Sequence, residues 1–254
     1  MEGKGGMILT VTDFGVAGPY LAQMHAAART RAPDVPVLDL MADLPAFQPL
    51  RAGYLLAALA PEFPAGSVFC CVVDPGVGSE RRAVMLRANR SWFVGPDNGL
   101  LAIVARRDPA AQAWTLDWRP ERLSASFHGR DLFMPVAAML ATAREVPGMP
   151  IDPAGMVGAD APPDLAEVVY IDSYGNAITG LRADTLPADA DLLAGDRPIP
   201  RVRTFADVAP GEPLWYANSS GLAEVAINQG RADRDLCLSV GAPVTLHSGG
   251  AGDA

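Results

Sequence analysis

The segment Val68-Phe69-Cys70-Cys71-Val72-Val73-Asp74-Pro75-Gly76-Val77-Gly78 decides the architecture. Its first six residues form a continuous apolar run, the pattern of a strand covered on both faces. The run stops at Asp74-Pro75-Gly76, where a carboxylate meets a turn. Working outward, short strands are expected at 83–86 and 92–94, and upstream at 7–12 and 35–40. Helices fall between them: one after Pro19, which suits a first helical turn, one at 49–59 and one at 133–144. This alternation predicts a mainly parallel α/β sheet.

The texture changes over 145–163, where Pro147, Pro150, Pro153, Pro162 and Pro163 fall among glycines and aspartates, the composition of a boundary. Beyond it, short strands are expected at 168–171, 177–179, 214–217 and 222–226, separated by turn residues and with weak helical periodicity. The reading is therefore an α/β domain over 7–150 and a small β domain over 164–248, with a glycine-rich tail fraying over 248–254. There are no internal repeats.

Composition narrows the function. The chain has 254 residues, half of them hydrophobic, enough for a substantial core, and a net charge of -9. An acidic balance argues against nucleic acid, whose phosphates want a basic face, and is compatible with a cationic small molecule. Cys70 and Cys71 are neighbours on one strand and point to opposite faces, and Cys237 is distant, so neither a disulfide framework nor a metal site is expected. All three are read as buried thiols. Residues 1–6 lack the apolar stretch of a signal peptide and no apolar run approaches 18 residues, so no membrane association is expected and a cytoplasmic location follows. Asn89-Arg90-Ser91 and Asn218-Ser219-Ser220 match a glycosylation pattern that carries no weight without secretion.

In open α/β sheets, ligands sit at the carboxyl ends of strands. Two expected strands end in an aspartate beside glycine, at Asp13-Phe14-Gly15 and at Asp74-Pro75-Gly76. Either alone is ordinary turn chemistry; together they point to a shared pocket. Gly76-Val77-Gly78 lacks the rest of a dinucleotide or P-loop motif. Gly95-Pro96-Asp97-Asn98-Gly99 reads as a structural turn, and His25 and His247 read as structural or solvated. His128 differs: it lies in Phe127-His128-Gly129-Arg130-Asp131 before a helix, where an imidazole can hold or take a proton from water. In the second half, Tyr170-Ile171-Asp172-Ser173-Tyr174-Gly175-Asn176 and Asn218-Ser219-Ser220-Gly221 are polar turns able to hold a carboxylate or a base edge, although hairpin chemistry also explains them.

Taken in order, these segments resemble one family, the S-adenosylmethionine (SAM) hydroxide adenosyltransferases, relatives of the SAM-dependent chlorinases and fluorinases. The matching stretches are Leu9 to Gly15, Val72 to Arg82, Val94 to Gly99, Phe127 to Asp131, Ile171 to Asn176 and Asn218 to Gly221. The resemblance implies a larger Rossmann-like N-terminal α/β domain and a smaller C-terminal β-barrel. It also implies a homotrimer with SAM bound between subunits. SAM is then the substrate, and neither a cofactor nor a metal is expected.

The resemblance further implies that Asp74, Arg81 and His128 hold the attacking water, a set the halogenases lack. The fluorinase-type insertion is also absent, since only 83–93 separate Arg82 from Val94. Displacement at C5′ by water expels methionine from a sulfonium, a good leaving group, and gives adenosine. The difficulty lies in the nucleophile, because bulk water has a pKa of about 15.7. Arg81 is always charged, so Asp74 or His128 takes the proton. By the same resemblance Asp13 holds the ribose hydroxyls, Asp172 the methionine ammonium, Ser219 and Ser220 its carboxylate and Asn176 an adenine edge, while Phe127 packs on the nucleoside. The chain departs from the family's Asp-Ile-Thr-His at Asp39-Leu40-Met41-Ala42, and Gly15-Val16-Ala17-Gly18-Pro19 is also unusual. The alternatives are a halide-using adenosyltransferase, a SAM- or adenosine-binding sensor without turnover, and a nucleoside hydrolase.

Overall fold

The computed structural model describes residues 6–247; the tail expected over 248–254 lies outside the described residues. The chain divides into two compact units, Met1–Ala161 and Pro162–Ala254. The first is a mixed α/β unit built on one large sheet, and the second is built on smaller antiparallel sheets.

Seven strands make the first sheet: β1 (Ile8–Thr12), β2 (Val37–Met41), β3 (Val68–Val72), β4 (Ala83–Ala88), β5 (Ser91–Pro96), β6 (Gln112–Thr115) and β7 (Pro150–Ile151). Their order is β2-β1-β3-β5-β4-β6-β7. The pairings among β2, β1, β3 and β5 are parallel, and those from β5 through β4 and β6 to β7 are antiparallel. The expected mainly parallel sheet is thus corrected to a mixed one. The cause is the Asn89-Arg90 connection, since a two-residue loop forces an antiparallel return. Both residues have positive φ, 50° and 61°, as a type I′ hairpin turn demands. The sequence lacks the glycine that usually announces such a turn.

Four helices serve this sheet: α1 (Tyr20–Arg31), α2 (Pro49–Leu59), α3 (Ala102–Arg107) and α4 (Met134–Ala141). The helix expected over 133–144 is shorter. A π-turn, Gly129–Phe133, precedes α4, and left-handed backbone at Ala143 (φ 55°) follows its end. Residues of α1 and α4 pack in one core with Ile8, Val68, Cys70, Val72 and Val94. The residues facing the other way, Leu9, Val11, Phe69, Cys71 and Phe93, are also buried, and Phe69 stacks on Phe93 with centroids 4.7 Å apart. This two-sided burial accounts for the continuous apolar run of β3. Each fully buried side chain of this size is worth about 1.5–3 kcal/mol.

The second unit contains β8 (Leu165–Ile171), β9 (Ala177–Arg182), β10 (Leu192–Ala194), β11 (Arg197–Ile199), β12 (Pro213–Ala217), β13 (Leu222–Ile227), a short α5 (Ala232–Asp235) and β14 (Val244–Leu246). One sheet runs β12-β13-β9-β8 and the other β11-β10-β14. They are linked on both sides, by bridges between Glu167 and Pro243 and between Arg201 and Trp215. Trp215 is fully buried in the core, and its indole N–H donates to the Ala190 carbonyl at 3.0 Å. Sequence reading missed β10, β11 and β14 because three residues are too few to show a period. Cys237 corrects the expectation of three buried thiols: it is exposed, with φ 53°, while Cys70 and Cys71 are buried. That left-handed residue turns the thiol outward while the next residue, Leu238, stays buried in the core.

Candidate active site

At the carboxyl end of β3, the chain makes two consecutive turns that return it to its starting point. Val77 N–H donates to the Asp74 carbonyl, and Ser79 N–H and Oγ both donate to that of Gly76. Gly78 permits this path, with φ 81° and an added Cβ that would lie 2.6 Å from the Ala125 carbonyl oxygen. The outcome is local: Arg81, seven residues on, grips Asp74. Its Nε donates to both carboxylate oxygens at 2.7 and 2.9 Å, and Nη2 donates to Oδ2. The two side chains are 4 % and 11 % exposed. A charge-assisted, forked pair of this kind is strong and geometrically specific.

The same guanidinium reaches His128, with Nη2 3.0 Å from Nδ1. Arginine has only donors, so Nδ1 must accept and the neutral ring carries its proton on Nε2. His128 is only 9 % exposed. Burial holds its pKa below the usual histidine value; the Arg81 charge pushes the same way, while Asp74 and Asp131 oppose it. His128 immediately precedes the π-turn, a helix irregularity frequent at functional sites. Arg81 is further steadied over the Phe133 ring, 5.2 Å from its centroid.

Asp74 and His128 line a cavity of about 230 Å³ together with Asp13, Phe14, Tyr20 and Phe127. Phe14, Tyr20 and Phe127 meet pairwise with centroids 5.5–5.8 Å apart, and Arg130 lies over Phe127 at 5.0 Å. Burial raises the Asp13 pKa, while the Phe47 N–H, 3.3 Å from Oδ2, works against it. Four of the five residues expected from this half line the cavity, and the fifth, Arg81, ties two of them together. Sequence reading missed Tyr20 and Phe47. Phe47 had no signal in the sequence, since its left-handed φ of 62° carries no glycine mark.

The second unit has its own cavity, of about 490 Å³, lined by Asp172, Asn176, Tyr174, Phe205, Tyr216 and Glu224 among others. Asp172 accepts from Asn176 N–H at 2.8 Å and from its amide Nδ2 at 3.0 Å. The turn between them uses Gly175, with φ 89° and an added Cβ that would lie 2.5 Å from Asp233 Oδ1. Arg231 pairs with Asp233 and donates to the Ser173 carbonyl, closing this loop from behind. Ser219 and Ser220 sit on the β12–β13 turn, outside the cavity lining. Sequence reading missed Tyr216 and Glu224. The available signal was one glutamate inside the apolar run of β13, and Glu224 pairs across the hairpin with Tyr216. No cluster able to hold a metal ion is found among the described residues, and none of their helices is long and apolar enough to cross a membrane.

A buried Asp–Arg–His set at a strand's carboxyl end, beside an aromatic-walled cavity, defines a small-molecule enzyme of the α/β class. Residues 8–149 match the SAM hydroxide adenosyltransferase N-terminal domain and residues 166–245 its C-terminal domain. The chain belongs to the SAM hydroxide adenosyltransferase family. It is 40% identical to the (R)-S-adenosyl-L-methionine hydrolase of Thermus thermophilus, covering 93% of this chain and 97% of that protein. It is 38% identical to the protein of the same name from Salinispora arenicola, over 94% and 96% of the two chains. Among solved structures, a conserved protein from Thermotoga maritima superposes with a TM-score of 0.85 at 28% identity, over 94% of this chain and 99% of that one.

Proposed function

We propose that this protein is a SAM hydrolase, displacing methionine from C5′ of SAM with water to give adenosine and L-methionine. The observation that carries the reading is the Asp74–Arg81–His128 arrangement beside the aromatic cavity, in a chain whose curated relatives carry that name.

The geometry divides the labour within the set. His128 Nδ1 is occupied by Arg81, so the ring offers Nε2–H as a donor that holds the water oxygen. Asp74 accepts three bonds from Arg81, and a carboxylate has about four lone-pair sites, so one remains for a water proton. Asp74 is therefore the proton acceptor and His128 the group that aims the lone pair. A carboxylate is sufficient as the acceptor: attack by neutral water makes an oxonium on C5′, a strong acid that sheds its proton readily. Placement in line with the sulfur then matters as much as basicity. Asp13 holds the ribose hydroxyls and Phe127 packs on the nucleoside. Asp172, Ser219, Ser220 and Asn176 serve the methionine end and the base.

The same reading carries a Rossmann-like domain over 7–150, a β-barrel domain over 164–248 and a homotrimer with sites between subunits. The bridges joining the two small sheets on both sides support the barrel. Phe47, which lines the first cavity and is 75% exposed, supports a covering partner there, since exposed apolar surface marks interaction sites. The reading also carries a cytoplasmic setting.

The test is incubation with SAM in ¹⁸O-labelled water, followed by mass spectrometry. Label on the adenosine 5′ oxygen, with methionine released, is the expected result. Intact SAM despite measurable binding sinks the hydrolase and leaves a sensor; release of adenine indicates nucleoside hydrolysis.

A further inference from the structure

Glu224 is buried at 5 % exposure within an apolar strand, and the mechanism above gives it no task. Its two oxygens are both occupied. Tyr216 OH donates to Oε1, and Asn218 Nδ2 donates to Oε2 at 3.0 Å. Burial, and next the bond to Glu224, push the Tyr216 hydroxyl well above its ordinary range, so it stays protonated and remains a donor.

The consequence lies at Asn218. An amide side chain can sit either way round, and Glu224 admits only its NH₂ end. The Oδ1 end is thereby turned toward the β12–β13 turn, where it accepts from Ser220 N–H and Leu222 N–H, both at 3.0 Å. With Gly221 in left-handed backbone (φ 80°) and donating to the Asn218 carbonyl, these bonds fix the path through Ser219 and Ser220. We infer that Glu224 is a positioning residue: by setting the amide of Asn218 it shapes the Ser219–Ser220 turn that grips the methionine end of the substrate, acting through hydrogen-bond polarity and not through its charge. The inference rests on the proposed role of that turn.

Polarity can be reversed, which gives the test. In Asn218→Asp, two carboxylates face each other and the turn loses its anchor. Adding Glu224→Gln lets the new amide NH₂ donate to the carboxylate introduced at position 218, while its Oε1 still accepts from Tyr216. Glu224→Gln alone also satisfies every partner, because the tyrosine hydroxyl can rotate to accept. Steady-state kinetics with SAM, and direct titration with methionine and with adenosine, are measured for all three variants.

Asn218→Asp is expected to raise KM for SAM and the methionine Kd at least about tenfold, with kcat at saturation and adenosine Kd within about threefold of wild type. The double variant is expected to recover most of that loss, and Glu224→Gln to stay within about threefold throughout. Strong coupling between contacting partners is what such a cycle reads. No recovery in the double variant, or a Glu224→Gln defect as large as that of Asn218→Asp, overturns the inference, the second outcome showing that the charge itself is used. Should Asn218→Asp fail to fold, Glu224→Leu takes its place, with the same methionine-selective loss expected. A wild-type protein that neither binds methionine nor turns over SAM removes the parent reading and this inference with it. Wild-type turnover with no coupling between positions 218 and 224 removes the inference alone.

Discussion

At Asp74, the carboxylate both accepts the forked guanidinium of Arg81 and faces the cavity. Asp74→Asn keeps the shape and removes the proton acceptor, so kcat should fall about 10²- to 10⁴-fold, the usual worth of general-base assistance. Breaking a buried ion pair by truncating one partner can cost about 3–5 kcal/mol. SAM affinity and thermal melting therefore have to be measured beside turnover; a variant that melts normally, binds SAM and keeps wild-type kcat contradicts the assignment. His128 gives a pH signature. Its folded pKa lies below 6.5 and the neutral ring is the form Arg81 can address. Turnover should therefore fall on the acid side, below pH 6.5, and not around neutrality. Stability follows the same sign. Above pH 6.5 His128 is neutral in both states, and as pH falls from there the unfolded chain takes up a proton the native one resists. Stability then drops until the lowered native value is passed. His128→Asn should flatten that part of a melting-temperature profile against pH.

Among the elements, the β4–β5 hairpin holds an arginine where the backbone favours glycine. Left-handed backbone costs an ordinary residue about 1–2 kcal/mol, and a flexible unfolded glycine offsets part of what its replacement would gain. Arg90→Gly creates the Asn-Gly pair that type I′ turns prefer and is expected to stabilise the protein by about 0.5–1 kcal/mol, read by denaturant titration. A loss of stability would contradict left-handed strain at Arg90. The hairpin also illustrates what the sequence hid. Strands over 83–86 and 92–94 were legible from their β-rich runs, but their mutual direction was not, because Asn89-Arg90 has no glycine. The β3 strand was the opposite case: six apolar residues followed by Asp-Pro-Gly announced both its burial and its end. In β13 a glutamate inside an apolar run was visible too, yet its cross-strand tyrosine was needed to give it meaning.

For the whole molecule, the proposed trimer has a direct consequence. Light scattering should give three times the 26.6 kDa chain mass. Phe47→Glu, which places a charge on a side chain 75% exposed beside the first cavity, should dissociate the assembly and lower turnover together. A monomeric wild type with full activity would contradict interfacial sites. By itself the sequence determined the two-part organisation, the burial of β3, the acidic turns at strand ends and, through six motifs in family order, the candidate residues. These depend on local chemistry: apolar runs, turn residues and spacing survive being read along a line. Only the tertiary structure decided the mixed direction of the large sheet, the orientation of the His128 ring and the polarity linking Glu224 to the Ser219–Ser220 turn. The first turns on left-handed backbone at Asn89 and Arg90 that no glycine marks, and the other two on which donor meets which acceptor, six residues apart at Asn218 and Glu224 and 47 apart at Arg81 and His128.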